Sequence, residues 1–151
     1  MQTAAAPRRK KTAARRGPRA ARPLRRRQRV VLVVDDLADQ RELYAGYLRH
    51  QGFDVLEASD GFEAIGMAVD ALPDAVVMDL AMPGLDGYDC TRVLKTMSPT
   101  RRIPVLALTA HGDQLPAEWA ESAGCDGFLR KPVLPSELAT EIELLMIRSR
   151  R

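Results

Sequence analysis

The sequence predicts an α/β fold, a parallel sheet covered by helices on both faces. Three observations carry this. Five short aliphatic runs recur along residues 30–130, and amphipathic helical periods fill the gaps between them. Acidic, hydroxyl and basic residues (Asp35, Asp36, Asp79, Thr109 and Lys131) stand just past the ends of four of the runs. Strand-helix alternation of this kind closes into a parallel sheet through right-handed crossovers, and ligands then collect beyond the carboxyl ends of the strands.

Each element can be justified in chain order. The first run, VVLVV (30–34), is apolar without alternation, as a strand buried on both faces must be. Asp39 with Glu42 resembles a capping box at the start of the helix that follows. FDVLEA (53–58) supplies the second strand, and Asp60 with Glu63 a second capping box. Ile65, Ala68, Val69 and Leu72 fall at i, i+3, i+4 and i+7, an apolar helical stripe. AVVM (75–78) is the third strand. Cys90, Val93, Leu94 and Met97 repeat the helical spacing, and Gly84 and Gly87 serve a turn before them. IPVLAL (103–108) is the fourth strand. Between Gly112 and Gly124 the helical signal is weak, broken by Pro116 and anchored by Trp119. GFLR (127–130) is the fifth strand. Pro135 suits the first turn of a last helix marked by Leu138, Ile142 and Leu145. Tyr44 and Tyr47 read as packing residues.

At 151 residues the chain has room for one domain with a real core. No run approaches the roughly 18 apolar residues of a membrane span, and the N-terminus lacks the apolar segment of a secretory signal. Cys90 and Cys125 have no CxxC spacing and read as isolated buried thiols in a reducing, cytoplasmic setting. The net charge of +3 conceals a division. Residues 1–29 hold 12 Lys/Arg and no acid; the remainder holds the other 11 and all 20 Asp/Glu, a net of −9. The segment 1–29 has too few apolar residues to offset its ordering entropy and is expected to be a disordered basic arm. It serves as a solvated tail, as a weak non-specific nucleic-acid or other polyanion contact, or in partner docking; a misplaced start codon is a further alternative. Residues 30–148 form the domain, and 149–151 a short basic end. With so little chain after the last helix, no DNA-binding module is expected there.

The strand ends bring Asp35 and Asp36 (first strand), Asp79 (third), Thr109 (fourth) and Lys131 (after the fifth) to one edge. Two like charges 4 Å apart repel by about 4 kcal/mol near a protein surface, so three carboxylates call for a cation. Oxygen ligands suit a hard ion such as Mg²⁺, with Mn²⁺ a possible substitute. No His or Cys pair stands at zinc-ligand spacing. An aspartate can act as nucleophile and form an aspartyl phosphate, and Lys131 and the cation would neutralise the transferred oxygens.

The acidic pair Asp35–Asp36, "MDLAMPGLDG", "LALTA" and "AGCDGFLRKP", in that order and at these separations, closely resemble the receiver domain of response regulators in two-component phosphorelays. The resemblance implies a flavodoxin-like five-stranded sheet in the order 2-1-3-4-5. It implies Asp79 as phosphoacceptor, with Asp36 as direct Mg²⁺ ligand, Asp35 ligating through water and Ala81 offering a backbone carbonyl. Thr109 and Lys131 would bind the phosphoryl group, and the Lys131–Pro132 peptide would be cis. Thr109 and Phe128 would form the switch, acting on the face of helix four, strand five and helix five. Ala81 and His111 would flank the water that removes the phosphate. The implied partners are a sensor histidine kinase or histidine phosphotransfer protein, an unknown downstream protein, and a second copy in a phosphorylation-dependent dimer. The protein would be a phosphate acceptor and not an enzyme with turnover.

A Mg²⁺-dependent phosphohydrolase of the haloacid dehalogenase type also forms an aspartyl phosphate, but wants D-x-D after the first strand, where this chain has DDLAD. A dinucleotide-binding domain would need G-x-G-x-x-G there and is excluded. A domain serving only to present the basic arm would have no use for the acidic set.

Overall fold

Strand β1 (Val30–Val34) lies between β2 (Asp54–Ala58) and β3 (Ala75–Asp79), and the sheet continues through β4 (Val105–Thr109) to β5 (Gly127–Arg130). Every pairing is parallel, so the order is 2-1-3-4-5 as the resemblance implied. This computed structural model describes residues 3–5, 27–110 and 117–150, apart from the side chains of Ala117, Trp119 and Ala120. The expectations for the arm fall almost wholly outside that set, as do those for His111, Pro116 and the Trp119 side chain. Among the described residues no helix is long and apolar enough to cross a membrane.

The helices are α1 (Ala38–His50), α2 (Gly61–Ala71), α3 (Gly87–Thr96), α4 (Ala117–Ala123) and α5 (Pro135–Ser149). Alternate strand residues divide between two cores. Val31, Val33, Val77, Leu106 and Leu108 pack under α1 and α5 with Tyr44, Leu48, Leu138, Ile142 and Leu145. Leu32, Val34, Val76, Met78, Val105 and Ala107 pack on the other face with Ala64, Ala68, Cys90 and Leu94. Both side-chain directions of the central strands are therefore buried, which explains why their sequences do not alternate.

Three local expectations need correction. Asp39 does not cap α1: the helix begins two residues earlier, at Ala38, with Leu37 as its cap and no side-chain cap bond. The Leu37 amide instead donates to Asp35 Oδ1 at 2.9 Å, so the strand-end acid sets the turn into the helix. Leu72 is not part of the α2 stripe. It ends the helix in the left-handed conformation (φ 47°) and stays exposed. Gly87 belongs to the first turn of α3, not to the preceding turn, where Gly84 supplies the positive φ of 77°. Asp60 does accept from the Glu63 amide, but the Glu63 carboxylate reaches back to Ser59. Pro135 opens α5 as expected, and the Lys131–Pro132 peptide is cis.

Candidate functional site

The strands deliver their last residues to one edge. β1 runs directly into Asp35 and Asp36, while Asp79 and Thr109 are the final residues of β3 and β4. Asp79 is paired with Leu108 and Thr109 with Arg130, which brings Lys131, one residue on, beside the two central strands. The Lys131 amide donates to the Thr109 carbonyl at 2.7 Å, extending the ladder and fixing the root of the lysine side chain. Gly87 is required for a different reason. A Cβ there would run into the Asp79 carbonyl oxygen and come within 2.7 Å of Leu80 Cα, so only glycine lets α3 start against the end of β3.

Asp35, Asp36 and Asp79 each offer a carboxylate oxygen, and these oxygens lie within 4.8 Å of one another. Asp35 and Asp79 are buried. One oxygen of each accepts a local backbone amide: Asp35 Oδ1 from Leu37 at 2.9 Å, Asp79 Oδ1 from Ala81 at 3.1 Å. The remaining oxygens lie near Lys131. Asp79 Oδ2 is 3.4 Å from the Lys131 ammonium, and Asp35 Oδ2 is 3.9 Å from it. Asp35 Oδ2 has no hydrogen-bond partner. A buried carboxylate oxygen without a donor costs free energy, and a cation is the natural remedy among three convergent acids. Hard, anionic oxygens at this spacing fit a divalent ion with oxygen preference.

Burial pushes the Asp79 carboxyl up to about 6, although Lys131 and the Ala81 amide pull it down; the neighbouring Asp35 pushes it further up. At neutral pH it is ionised but poorly solvated, the condition of a carboxylate nucleophile.

The expected site residues that lie within the described set all find a place; His111 lies outside it. Asp35, Asp36, Asp79, Thr109 and Lys131 converge on the edge, and Ala81 contacts it through its amide. Phe128 lies half-buried on β5, paired with Ala107 beside Thr109's strand. What the sequence reading missed is a set of hydrogen bonds behind the lysine. Lys131 Nζ donates to Gln40 Oε1 at 3.1 Å, Gln40 Nε2 to the Tyr44 hydroxyl at 3.3 Å, and that hydroxyl to the Val133 carbonyl at 3.1 Å. Tyr44 does pack, as expected, but it also carries this bond. The i,i+4 spacing of Gln40 and Tyr44 on α1 was the available signal.

The family description "response regulator receiver domain" matches residues 31–143. The chain is 36% identical over 123 residues to the DNA-binding response regulator MtrA of Mycobacterium leprae, covering 82% of this chain and 53% of that protein. It is 36% identical over 120 residues to the phosphate regulon transcriptional regulatory protein PhoB of Escherichia coli, covering 80% and 52%. The chain thus spans about half the length of the curated relatives it matches. Among solved structures it resembles the chemotaxis protein CheY4 of Vibrio cholerae, at 28% identity and TM-score 0.74 over 78% of this chain and 98% of that one. A response regulator receiver domain protein from Clostridium thermocellum superposes with TM-score 0.74 at 31% identity, over 81% and 97%. With the sheet order and the acidic edge already in place, the chain belongs to the response-regulator receiver family.

Proposed function

We propose that this receiver accepts a phosphoryl group on Asp79 in a two-component phosphorelay and, once phosphorylated, changes its protein contacts. The observation that carries the reading is the pairing of a buried, up-shifted Asp79 with Lys131 at 3.4 Å, beside a second buried carboxylate that has an orphaned oxygen.

Asp79 Oδ2, which no backbone amide holds, is the oxygen available to attack phosphorus. The new O–P bond forms as the bond from phosphorus to the donor's leaving atom breaks: a histidine nitrogen in a kinase or phosphotransfer protein, an oxygen in acetyl phosphate. Lys131 stands ready to donate to the transferred oxygens, and the Thr109 hydroxyl side chain ends the adjacent strand. Asp35, Asp36 and Asp79, with the Ala81 carbonyl, would hold Mg²⁺ or Mn²⁺, which supplies charge neutralisation for the phosphoryl oxygens. No turnover of a substrate is required.

The output is a shift between two states. Thr109 and Phe128 sit on adjacent strands, so a hydroxyl drawn toward a phosphoryl group leaves space for the aromatic ring, and the surface of α4, β5 and α5 changes with it. Phosphorylation moves that equilibrium only by its differential stabilisation of the two states. MtrA and PhoB are named as DNA-binding and transcriptional regulators, which makes transcriptional output one destination for a signal of this kind.

The test is intact mass after incubation with acetyl phosphate. A single phosphate adduct is expected with Mg²⁺, none with EDTA, and none in Asp79→Asn. An adduct that persists in Asp79→Asn rules out the acceptor assignment. For the output, beryllofluoride in place of the phosphoryl group should shift amide resonances on β5 and α5; unchanged resonances there would rule out the switch.

A further inference from the structure

The Lys131 ammonium is held by more than the carboxylates it faces. Its distances to Asp79 Oδ2 and Asp35 Oδ2 are 3.4 and 3.9 Å. The same molecule contains a second lysine-aspartate pair for comparison: Lys95 Nζ reaches Asp126 Oδ2 at 2.7 Å while also donating to the Ile103 carbonyl at 2.7 Å. Both lysine side chains are 17% exposed, so solvent access does not explain the difference. A charge-assisted N–H···O bond settles at about 2.7–2.9 Å when nothing opposes it. Lys131 stays farther from Asp79 than that, at 3.4 Å.

Gln40 is the nearest acceptor to that ammonium. An ammonium can only donate and a backbone carbonyl can only accept, so the two ends of the series from Lys131 to Val133 fix its direction. The Tyr44 hydroxyl must give its proton to the Val133 carbonyl, leaving its oxygen to accept from Gln40 Nε2. The amide oxygen of Gln40 is then forced to face Lys131 and accepts at 3.1 Å. Tyr44 is 2% exposed, wedged in the core under α1 and α5. The glutamine is thus anchored at its far end and holds the ammonium through its amide oxygen.

We propose that Gln40 is a positioning residue: it holds the Lys131 ammonium off Asp35 and Asp79 and so keeps their oxygens open to a divalent cation. This rests on the reading that the acidic edge binds Mg²⁺. Were the ammonium free to close on the pair, it would neutralise one carboxylate and occupy the orphaned oxygen of Asp35. A cation would then have to displace a short charge-assisted bond before binding. Gln40 and Lys131 lie 91 positions apart, so the device couples the start of α1 to the end of β5.

Titration calorimetry with Mg²⁺ alone tests this on the full chain. Gln40→Met keeps the length of the side chain and removes both polar atoms; its Mg²⁺ Kd is expected to rise about tenfold or more, the worth of one hydrogen bond to a charged group. Tyr44→Phe leaves the amide but frees its orientation, and should fall between that variant and the native chain. Gln40→Glu restores an acceptor for Lys131 and should bind at least as tightly as the native chain. Packing alone would lower the thermal midpoint of both Gln40 variants without separating their affinities. A Gln40→Met Kd equal to or lower than the native value overturns the role of Gln40 while leaving the cation site standing. No Mg²⁺ binding by the native chain overturns both.

Discussion

Aspartates stand at both ends of this sheet, and the two ends treat them differently. At the amino end Asp74 Oδ2 accepts from the amide of Val30, the first residue of β1, at 2.8 Å. Asp126 Oδ2 accepts from the amide of Val105, the first residue of β4, at 2.8 Å, and from Lys95 Nζ at 2.7 Å. These acids complete the hydrogen bonding of neighbouring strands. At the carboxyl end Asp35 and Asp79 each spend one oxygen on a turn amide, share Lys131 through the other at 3.9 and 3.4 Å, and crowd together with Asp36. The residue type is the same; the supply of donors differs. Parallel strands present amides at one end that an acid from the next loop can satisfy, while at the other end acids meet one another. A buried polar group with its partner present stabilises the fold, and one without is retained for what it binds.

The largest test of that division concerns the basic arm, which joins the body at the amino end. Arg29 lies 4.7 Å over the Phe53 ring and pairs with Glu143 at 3.2 Å, and its carbonyl accepts from the Asp54 amide. The arm thus starts at the end of the sheet away from Asp79. Deleting residues 1–26 removes ten of the twelve positive charges of the segment 1–29 and keeps Arg29 in place. Binding of the full chain to random-sequence duplex DNA, measured by anisotropy, should weaken roughly 10³–10⁵-fold between 50 and 200 mM salt if 6–10 phosphates are neutralised. The truncated chain should lose that binding and still accept phosphate on Asp79. Equal, salt-insensitive binding by both chains would leave the arm a solvated tail, and loss of phosphorylation on truncation would break the separation of the two ends.

Substitutions at the two ends should next change stability with opposite sign. Asp126→Ala leaves the buried Val105 amide without an acceptor and is expected to cost about 1–3 kcal/mol. Asp79→Asn removes a charge that burial disfavours, and without metal at pH 7 it should stabilise the protein by about 1–3 kcal/mol. Urea denaturation in EDTA measures both. Two changes of the same sign would show that the contrast between the ends has no energetic content.

The two ends also differ in how far the sequence disclosed them. The functional edge was legible because its residues announce themselves by position: a carboxylate at the close of a five-residue aliphatic run has nowhere to go but the strand end. Asp35, Asp36 and Asp79 could be placed that way, Thr109 as the hydroxyl that closes its run, and Lys131 through the resemblance that GFLRKP carries. The strands themselves were legible because three of the five are buried on both faces and are apolar up to their last residue. The amino-end acids were not legible, since Asp74 and Asp126 act on amides 44 and 21 positions away and look like ordinary loop acids. Gln40 was missed for the same reason, its partner being 91 positions distant. Asp39 misled because capping patterns assume a helix that starts on its own, whereas here Asp35, buried at the strand end, sets the turn.

The smallest expected effect is the pH dependence that Asp79 imposes. Its carboxyl is raised to about 6 in the folded protein, against 3.8 for an unperturbed aspartate. Between these values the folded state holds a proton that the unfolded state has released. Stability from this group is therefore fully present below about pH 4 and lost as pH rises through 6. Over pH 5 to 7 the loss amounts to about 1 kcal/mol. Other acids titrate in this range, so the quantity to measure is the difference between the native chain and Asp79→Asn in EDTA, which cancels them. The native chain should lose stability relative to the variant as pH rises. Saturating Mg²⁺ should flatten or reverse that trend, because a cation favours the ionised carboxylate and its binding weakens as pH falls. Parallel curves for the two proteins between pH 5 and 7 would mean that Asp79 is as well solvated as the acids at the amino end are well bonded, and that its burial has no bearing on its reactivity.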